Sequence, residues 1–311
     1  MRSVRVIIPY FGAWPEWFPL YLHSCARNPT FHFLFYTDQA PPECAPDNVK
    51  FERTSFDAYA RRVSSVLGIR FSPADPYKLC DIRPALGAIH ASELAGYDNF
   101  GSGDIDVFYG NLRKHYPDAL LEKLLVSTHS RWVSGHFCVL ENSALGRNLF
   151  RLVPLWQRLL ENPKYTAFED RHFTRLFLGM QPHTGRAARA YRFANPLYRR
   201  SSFVERYTTP FSRMRWADGS DDHPRVWYFR AGEITNDVDG ERTFPYLHFM
   251  NYKSGRYLPL LHGIRPAWSG LSRVVQLSEQ QALREGWAIS ARGIVALPGS
   301  RDHAQAAALA S

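Results

Sequence analysis

Short apolar strand patterns alternate with helical patterns over the first 140 residues, and this alternation limits the possible folds more than any other feature. Strands are predicted at residues 4–8, 31–36 and 132–140, and helices at 15–26, 55–66 and 81–94. Strands that alternate with helices are joined by crossovers, so they lie parallel in a sheet that helices cover on both faces. We therefore predict an α/β fold, Rossmann-like, with a mostly parallel central sheet.

The later part of the chain has weaker patterns. Helices are predicted at 142–161 and 168–179, and strands at 226–229 and 244–249. Ser55 is expected to cap the helix at 55–66, and Pro84 to lie in the first turn of the helix at 81–94. No repeat or linker divides the chain, so one domain is predicted over 1–303, with a disordered tail at 304–311.

Composition narrows the cellular setting. The chain is 45% hydrophobic and 14% aromatic, enough for a sizeable core, but no run approaches the ~20 apolar residues of a membrane helix. The N-terminal residues do not resemble a signal peptide, and a cytoplasmic protein is expected. The four cysteines have no metal-binding spacing and are predicted to be reduced thiols: Cys25, Cys44, Cys80 and Cys138.

The positive charge is unevenly distributed. The net charge is +9, and residues 1–150 contribute none of it because their 15 basic and 15 acidic side chains balance. Ten arginines and one acid, Glu205, lie between Arg171 and Arg215. Such a segment is either a solvated basic face or a surface for phosphate, an anionic lipid or an acidic saccharide.

Asp104-Ile105-Asp106 is the most informative tripeptide. At the end of an extended strand, residues two apart project to the same side, so both carboxylates can share a divalent cation that grips a diphosphate. A short acidic triplet also occurs by chance in surface turns, but this one lies among apolar residues in the segment 97–108, where the alternation of strands and helices predicts another strand. In α/β sheets, ligands bind at the strand ends, which favours the functional interpretation.

A second charged group precedes this tripeptide. Lys78, Asp81 and Arg83 offer both signs of charge at the start of a predicted helix. They either contact a ligand, or form a capping aspartate with two exposed bases.

Several ordered segments together resemble the GT-A class of nucleotide-sugar-dependent glycosyltransferases, and more narrowly an uncharacterised bacterial family found with polysaccharide-assembly genes. The resemblance covers roughly the first 180 residues. The segments that carry it are IIPYFG (7–12), FYTD (35–38), PYKLCDIRPALG (76–87), GSGDIDVFYGNLR (101–113) and SGHFCVLEN (134–142). It implies a single GT-A-like domain with a donor-binding core at 1–180 and an acceptor part at 181–303.

The resemblance also implies roles for individual residues. The first loop and a following aspartate would hold the nucleoside: Pro9, Tyr10, Phe11 and Asp38. The charged group would contact the donor sugar and phosphates: Lys78, Asp81 and Arg83. Asp104 would contact the ribose or sugar and share the metal with Asp106. The first loop is equally well explained as a plain turn after a strand.

Two later segments extend the implied site. His248 resembles a third metal ligand and Lys253 a diphosphate contact, although a histidine among aromatic residues is often structural. Asp170, with Glu169 as second choice, resembles the base that deprotonates the acceptor hydroxyl in inverting enzymes, although helix starts favour acids anyway. His136 either seats the acceptor or fills the core.

These inferences predict a metal-dependent glycosyltransferase that builds a bacterial surface glycan such as capsule, O-antigen or lipopolysaccharide. The expected cofactor is Mn²⁺ or Mg²⁺, and the expected donor is a nucleotide-diphosphate sugar, with a UDP-sugar as the first choice. The acceptor would be a glycan or lipid-linked molecule, with the arginine-rich segment in peripheral contact with the anionic inner membrane surface. The alternatives are a sugar nucleotidyltransferase and a basic nucleic-acid-binding protein, although no nucleic-acid partner is expected because the sequence has no recognised binding motif.

Overall fold

The structure is a computed structural model that describes residues 1–180, 185–212, 214–253, 279–290 and 293–297. This part of the chain divides into two compact units. Unit 1 comprises Met1–Ala13, Thr30–Asp104 and Tyr116–Glu205, and unit 2 comprises Trp14–Pro29, Ile105–His115 and the described residues from Arg206 onward. The predicted tail at 304–311 lies outside the described residues, and the single domain over 1–303 stays a prediction.

Unit 1 is built on a seven-stranded sheet with the order β3-β2-β1-β4-β7-β6-β8. Its strands are β1 (Val4–Pro9), β2 (Phe31–Thr37), β3 (Val49–Arg53), β4 (Asn99–Gly103), β6 (Leu125–Ser127), β7 (Phe137–Glu141) and β8 (Ser202–Phe203). β3, β2, β1 and β4 are parallel neighbours and β8 is parallel to β6, whereas β7 is antiparallel to both β4 and β6. The predicted α/β class with a mostly parallel sheet is confirmed.

This topology gathers several loops at one edge of the sheet. β1, β2 and β4 are parallel, so the residues that follow them emerge at the same edge. β7 runs in the opposite direction, so the loop that precedes it reaches that edge too, and the Asp104 backbone N–H donates to the carbonyl oxygen of His136 at 3.0 Å. The edge therefore holds the first loop, Asp38, Asp104 and His136.

Helices cover this sheet. They are α2 (Phe56–Leu67), α3 (Leu86–Ile89), α5 (Asp118–Leu121), α6 (Ala144–Asn148), α7 (Trp156–Glu161), α8 (Thr174–Leu178), α9 (Arg186–Ala194) and α10 (Pro196–Arg199), with 3₁₀ helices at Pro76–Ala85 and Leu149–Leu152 and a π-helix at Phe168–Phe173. α2 begins as predicted, because the Ser55 hydroxyl accepts a hydrogen bond from the Ala58 N–H at 3.2 Å. Apolar side chains on this helix, including Tyr59 and Val63, are buried in the main core together with Ile7, Leu34, Phe100 and Phe173.

Prolines account for two wrong helix predictions. The helix predicted at 81–94 is a 3₁₀ helix that contains Pro84, followed by the single turn of α3. The helix predicted at 142–161 is divided before α7, where Pro154 lies. Proline has no N–H and its ring clashes with the carbonyl four residues earlier, so an α-helix does not continue through it. The strand predicted at 132–140 is β7, five residues later at its start, and β3 and β6 were not predicted.

Unit 2 contains two smaller antiparallel sheets. One pairs β5 (Val107–Tyr109) with β11 (Tyr246–His248), and the other has the order β10-β9-β12-β13. The members of the second sheet are β9 (Val226–Arg230), β10 (Glu233–Asn236), β12 (Trp287–Ser290) and β13 (Gly293–Ala296). The predicted strands at 226–229 and 244–249 correspond to β9 and β11.

The helices of unit 2 are short. They are α1 (Phe18–Ala26), α4 (Leu112–His115), α11 (Met250–Lys253) and α12 (Glu279–Glu285). α1 starts three residues later than predicted, with Pro19 in its first turn, where a missing N–H costs no hydrogen bond. In the described ranges, we find no helix that combines the length and the apolar character of a membrane span. All four cysteines have free thiols, as predicted.

Candidate active site

In unit 2, strand pairing brings Asp106 and His248 together across 142 positions of sequence. β5 and β11 pair in a register that sets His248 opposite Val107, so the residue before β5 lies beside the end of β11. The Phe249 N–H donates to the Asp106 carbonyl oxygen at 3.1 Å and extends this pairing. The His248 Nε2 consequently lies 3.5 Å from the Asp106 Oδ1.

Lys253 completes this group. It lies on α11, one helical turn beyond β11, and its Nζ donates to the Asp106 Oδ2 at 2.6 Å. The ammonium group also lies 5.6 Å from the centre of the Trp17 ring, within the range of a cation–π contact. Burial raises the pKa of the Asp106 carboxyl, but the nearby Lys253 and His248 side chains outweigh it and hold that pKa well below its ordinary value. Asp106 is therefore a buried carboxylate.

The donor set fits a divalent cation. Asp106 Oδ1 is buried and has no hydrogen-bond partner among the described residues, so its lone pairs are available to a cation. The Thr209 hydroxyl lies 3.2 Å from the His248 Nδ1 and orients the ring so that Nε2 faces Asp106. An imidazole held by a second hydrogen bond and an adjacent carboxylate are a common ligand pair for transition metals.

In unit 1, Arg83 joins two carboxylates. Its guanidinium donates to the Asp104 Oδ2 at 2.8 Å and to the Glu169 Oε2 at 3.3 Å. Asp104 directly follows β4 and keeps 35% of its side chain exposed, whereas Glu169 keeps 3%. The positive charge of Arg83 therefore lies between two carboxyl groups, that of the half-exposed Asp104 and that of the buried Glu169.

Glu169 occupies an unusual position. A Cβ atom added to Gly135 would overlap its carboxylate, so only glycine lets the two segments approach this closely. Glu169 Oε1 is buried without a hydrogen-bond partner in the described part of the chain. Burial raises the pKa of Glu169 well above its ordinary value; Arg83 opposes this rise, and Asp170 and Asp104 add to it. The carboxyl therefore holds a proton to higher pH than an exposed glutamate.

Asp170, the other predicted base, has a different environment. It is exposed, and the Tyr165 hydroxyl donates to its Oδ2 at 2.8 Å. Tyr165 in turn packs against Tyr77, with 4.8 Å between the ring centres. The carboxylate of Asp170 is therefore accessible to solvent, whereas that of the neighbouring Glu169 is buried.

Lys78 and Asp81 are fully buried and bind each other. Lys78 Nζ donates to the Asp81 Oδ2 at 2.8 Å and to the Leu159 carbonyl oxygen at 2.9 Å. Asp81 also accepts from the Thr166 N–H and hydroxyl and from the Phe168 N–H, at 2.8–2.9 Å. These contacts connect the 3₁₀ helix to the segment that carries Glu169, and the donor-binding role of this pair stays a prediction.

The predicted nucleoside loop lies beside Asp38. Pro9 ends β1, the Tyr10 N–H donates to the Tyr36 carbonyl oxygen at 2.8 Å, and the Gly12 N–H donates to the Asp38 Oδ1 at 3.1 Å. Phe11 is buried, with its ring 5.3 Å from that of Phe56. The structure therefore brings the first loop and Asp38 together, and the binding of a nucleoside stays a prediction.

Comparison with known proteins identifies the family. A family model described as "Family of unknown function (DUF6625)" matches residues 6–258, which is most of the chain. The chain belongs to DUF6625. No curated protein matches this DUF6625 member.

Solved structures similar to this DUF6625 member include glycosyltransferases. Mouse xyloside xylosyltransferase 1 is 12% identical, with a TM-score of 0.33, over 67% of this chain and 86% of that one. The glycosyltransferase GlyE of Streptococcus pneumoniae TIGR4 is 11% identical, with a TM-score of 0.33, over 66% of this chain and 46% of that one. The galactosyltransferase LgtC, in complex with donor and acceptor sugar analogues, is 10% identical, with a TM-score of 0.34, over 64% of this chain and 86% of that one. Likenesses this loose do not assign an activity.

One polar group of this DUF6625 member was not predicted from its sequence. His129, which is buried, has its Nδ1 3.2 Å from the Glu205 Oε1, and its ring lies 5.3 Å from that of His136. Trp132 also packs on His129, with 4.9 Å between the ring centres. His129 and Glu205 are 76 residues apart and match no motif, so nothing in the sequence links them. Thr209, which orients His248, was missed for the same reason.

Proposed function

We propose that this DUF6625 member is a metal-dependent glycosyltransferase that moves a sugar from a nucleotide-diphosphate sugar to a glycan acceptor. The observation that carries the proposal is the group around Asp106 in unit 2. The oriented His248 imidazole lies 3.5 Å from the buried Oδ1 of the Asp106 carboxylate, and the Lys253 ammonium lies 2.6 Å from the other oxygen, Oδ2. The sequence motifs around this residue are those that resemble the GT-A class.

The residues of this group have separable tasks. Asp106 and His248 would hold Mn²⁺ or Mg²⁺, and Asp104, two residues earlier in the chain, is the predicted further ligand. The cation would supply charge stabilisation to the departing nucleoside diphosphate. Lys253 balances the Asp106 charge before substrate binds, and its three donors suit phosphate oxygens once the diphosphate is present.

The acceptor hydroxyl needs a base for an inverting displacement. Asp170 is proposed for this role because it is exposed and its carboxylate is oriented by the Tyr165 hydroxyl. Glu169 is the second candidate, since its raised pKa makes it a stronger base once it is ionised. Replacement of each by its amide tests the assignment: D170N is expected to lower kcat by about 10²–10⁴-fold, the usual contribution of a general base, and E169Q by less.

The decisive experiment measures metal and donor binding separately from turnover. Thermal shifts of the wild type are recorded with UDP- and GDP-sugars, with and without Mn²⁺, and the released product is then assayed. We expect a Mn²⁺-dependent shift that D106N and H248A abolish and that D218N, at an exposed aspartate of the same unit, retains. Release of UDP or GDP identifies glycosyl transfer. Release of pyrophosphate from a nucleoside triphosphate and a sugar phosphate would identify a nucleotidyltransferase, and an unchanged Mn²⁺ shift in D106N would refute the metal site.

The donor and acceptor classes follow from the sequence resemblance. We propose a UDP-sugar as donor and a bacterial surface glycan or its lipid-linked precursor as acceptor. A panel of nucleotide sugars in the thermal-shift assay ranks the donors directly. A donor that shifts the wild type but not K253M would identify Lys253 as a diphosphate contact, and an equal shift in both proteins would exclude that role.

A further inference from the structure

α9 of unit 1 is a helix that buries none of its residues. It is nevertheless anchored to the rest of the unit. The Asn195 side-chain amide, just after α9, donates to the Leu176 and Phe177 carbonyl oxygens at 2.7 and 3.0 Å, and the Tyr191 ring lies against Gly179. The helix is thus held in place while most of its surface faces outward.

Three large hydrophobic side chains are exposed on α9 or just after α8, and one of them, Tyr191, is 44% exposed. Phe193 is 81% exposed and Met180, just after α8, is 78% exposed. Removing such a side chain from water is favourable, and the Phe193 and Met180 side chains both remain largely exposed to water. Neither residue belongs to the described core of the unit, which suggests that their burial occurs on binding.

Arginines surround Phe193 on the same helix face. Arg186 and Arg189 precede it by seven and four residues, spacings that align side chains along one side of a helix, and both are exposed. From Arg171 to Glu205 the only acidic residue in the sequence is Glu205, whose carboxylate lies 3.2 Å from His129. We call Arg186, Arg189 and Phe193 the α9 patch.

We propose that the α9 patch docks on the surface of an anionic lipid bilayer. Each arginine near such a surface attracts lipid phosphate, and guanidinium groups bind phosphate oxygens bidentately. An exposed phenylalanine can enter the boundary between headgroups and acyl chains. A single-stranded nucleic acid would instead require several aromatic rings along a basic groove, whereas the two exposed rings of α9, Tyr191 and Phe193, are two residues apart and therefore do not share a helix face. This inference does not depend on the proposed glycosyl transfer.

Vesicle co-sedimentation tests the proposal with the full chain. Vesicles of phosphatidylcholine mixed with phosphatidylglycerol are compared with vesicles of phosphatidylcholine alone. We expect the wild type to bind only the mixed vesicles, and R186Q/R189Q to lose about thirtyfold in partition coefficient. F193S should lose about tenfold or more, and F193W should bind at least as tightly as the wild type because tryptophan favours the bilayer interface.

Matched controls separate the patch from total charge and from unfolding. R61Q/R70Q removes the same charge at exposed arginines of unit 1 outside the patch, and L152S removes a half-exposed leucine. Retained binding by both controls supports the patch. Equal losses in the two arginine pairs would overturn it, as would tighter binding of the wild type to a single-stranded oligonucleotide than to mixed vesicles at the same salt. F193W keeps the proposal testable if F193S does not fold, because weakened binding by a stably folded F193W would contradict the proposal.

Discussion

At the scale of single residues, burial decides which chemistry an acid can perform. Asp106, Glu169 and Asp170 have the same functional group, but cations and hydrogen bonds lower the pKa of the first and burial raises that of the second. Asp170 remains exposed to solvent. A sequence pattern places acids along the chain, and it does not show these differences.

Glu169 predicts a pH-dependent stability. Its folded-state pKa is raised above 4.5, so between pH 4.5 and that folded pKa the native state binds the proton more tightly than the unfolded state does. The unfolding free energy of the wild type should therefore fall as pH rises through this window, by about 1.4 kcal/mol for each unit of pKa difference. E169Q cannot titrate and should lack this fall. Urea unfolding from pH 4.5 to 8 measures the difference.

The control for this prediction is E122Q, at an exposed glutamate of unit 1. Its stability should follow the wild type across the same pH range. A constant difference between E169Q and the wild type from pH 4.5 to 8 would contradict the raised pKa of Glu169.

At the scale of elements, buried ionic contacts connect segments that are distant in sequence. The Lys78–Asp81 pair attaches the 3₁₀ helix Pro76–Ala85 to Thr166 and Phe168, directly before Glu169. Asp81 thus holds the segment that carries Glu169 and Asp170 in place from the interior of unit 1.

We expect D81A to destabilise the protein by about 3–5 kcal/mol, because Lys78 would remain buried without its partner. The double variant K78M/D81A removes the stranded charge and should recover part of that loss. Thermal or urea unfolding of the wild type, both single variants and the double variant gives the coupling energy. Additive effects of K78M and D81A would show that the two side chains do not act as a pair.

Elements also explain which parts of the fold were predictable. β1, β2 and α2 are coded by local apolar patterns and by the Ser55 cap, so their bounds were predicted to within about two residues. β6 has three residues and β8 two, and such segments are strands only because neighbouring strands pair with them. Their pattern is too short to be detected in the sequence.

At the scale of the whole molecule, the thiols report on the fold. Cys25 and Cys138 are buried, Cys80 is partly buried, and Cys44 is exposed. Burial is the main reason that the pKa of Cys80 rises to about 12, which leaves almost no thiolate at neutral pH. In the native protein, the Cys44 thiol should therefore react quickly and the other three thiols slowly.

A thiol-titration assay with Ellman's reagent should show one fast-reacting thiol per chain in native buffer and four in denaturant. C44S should have no fast-reacting thiol under native conditions. Fast reaction of more than one thiol in the wild type, or of any thiol in C44S, would contradict the described burial.

The sequence by itself determined the α/β class, strands β1 and β2 of the parallel half of the sheet and the acidic tripeptide that leads to Asp106, because periodic burial and short motifs are local properties of a chain. Only the tertiary structure decided that His248 and Lys253 reach Asp106, that Arg83 joins Asp104 to Glu169, and that His129 pairs with Glu205. These contacts depend on strand register and packing between distant segments, which arise from the whole fold and leave no periodic trace in the sequence.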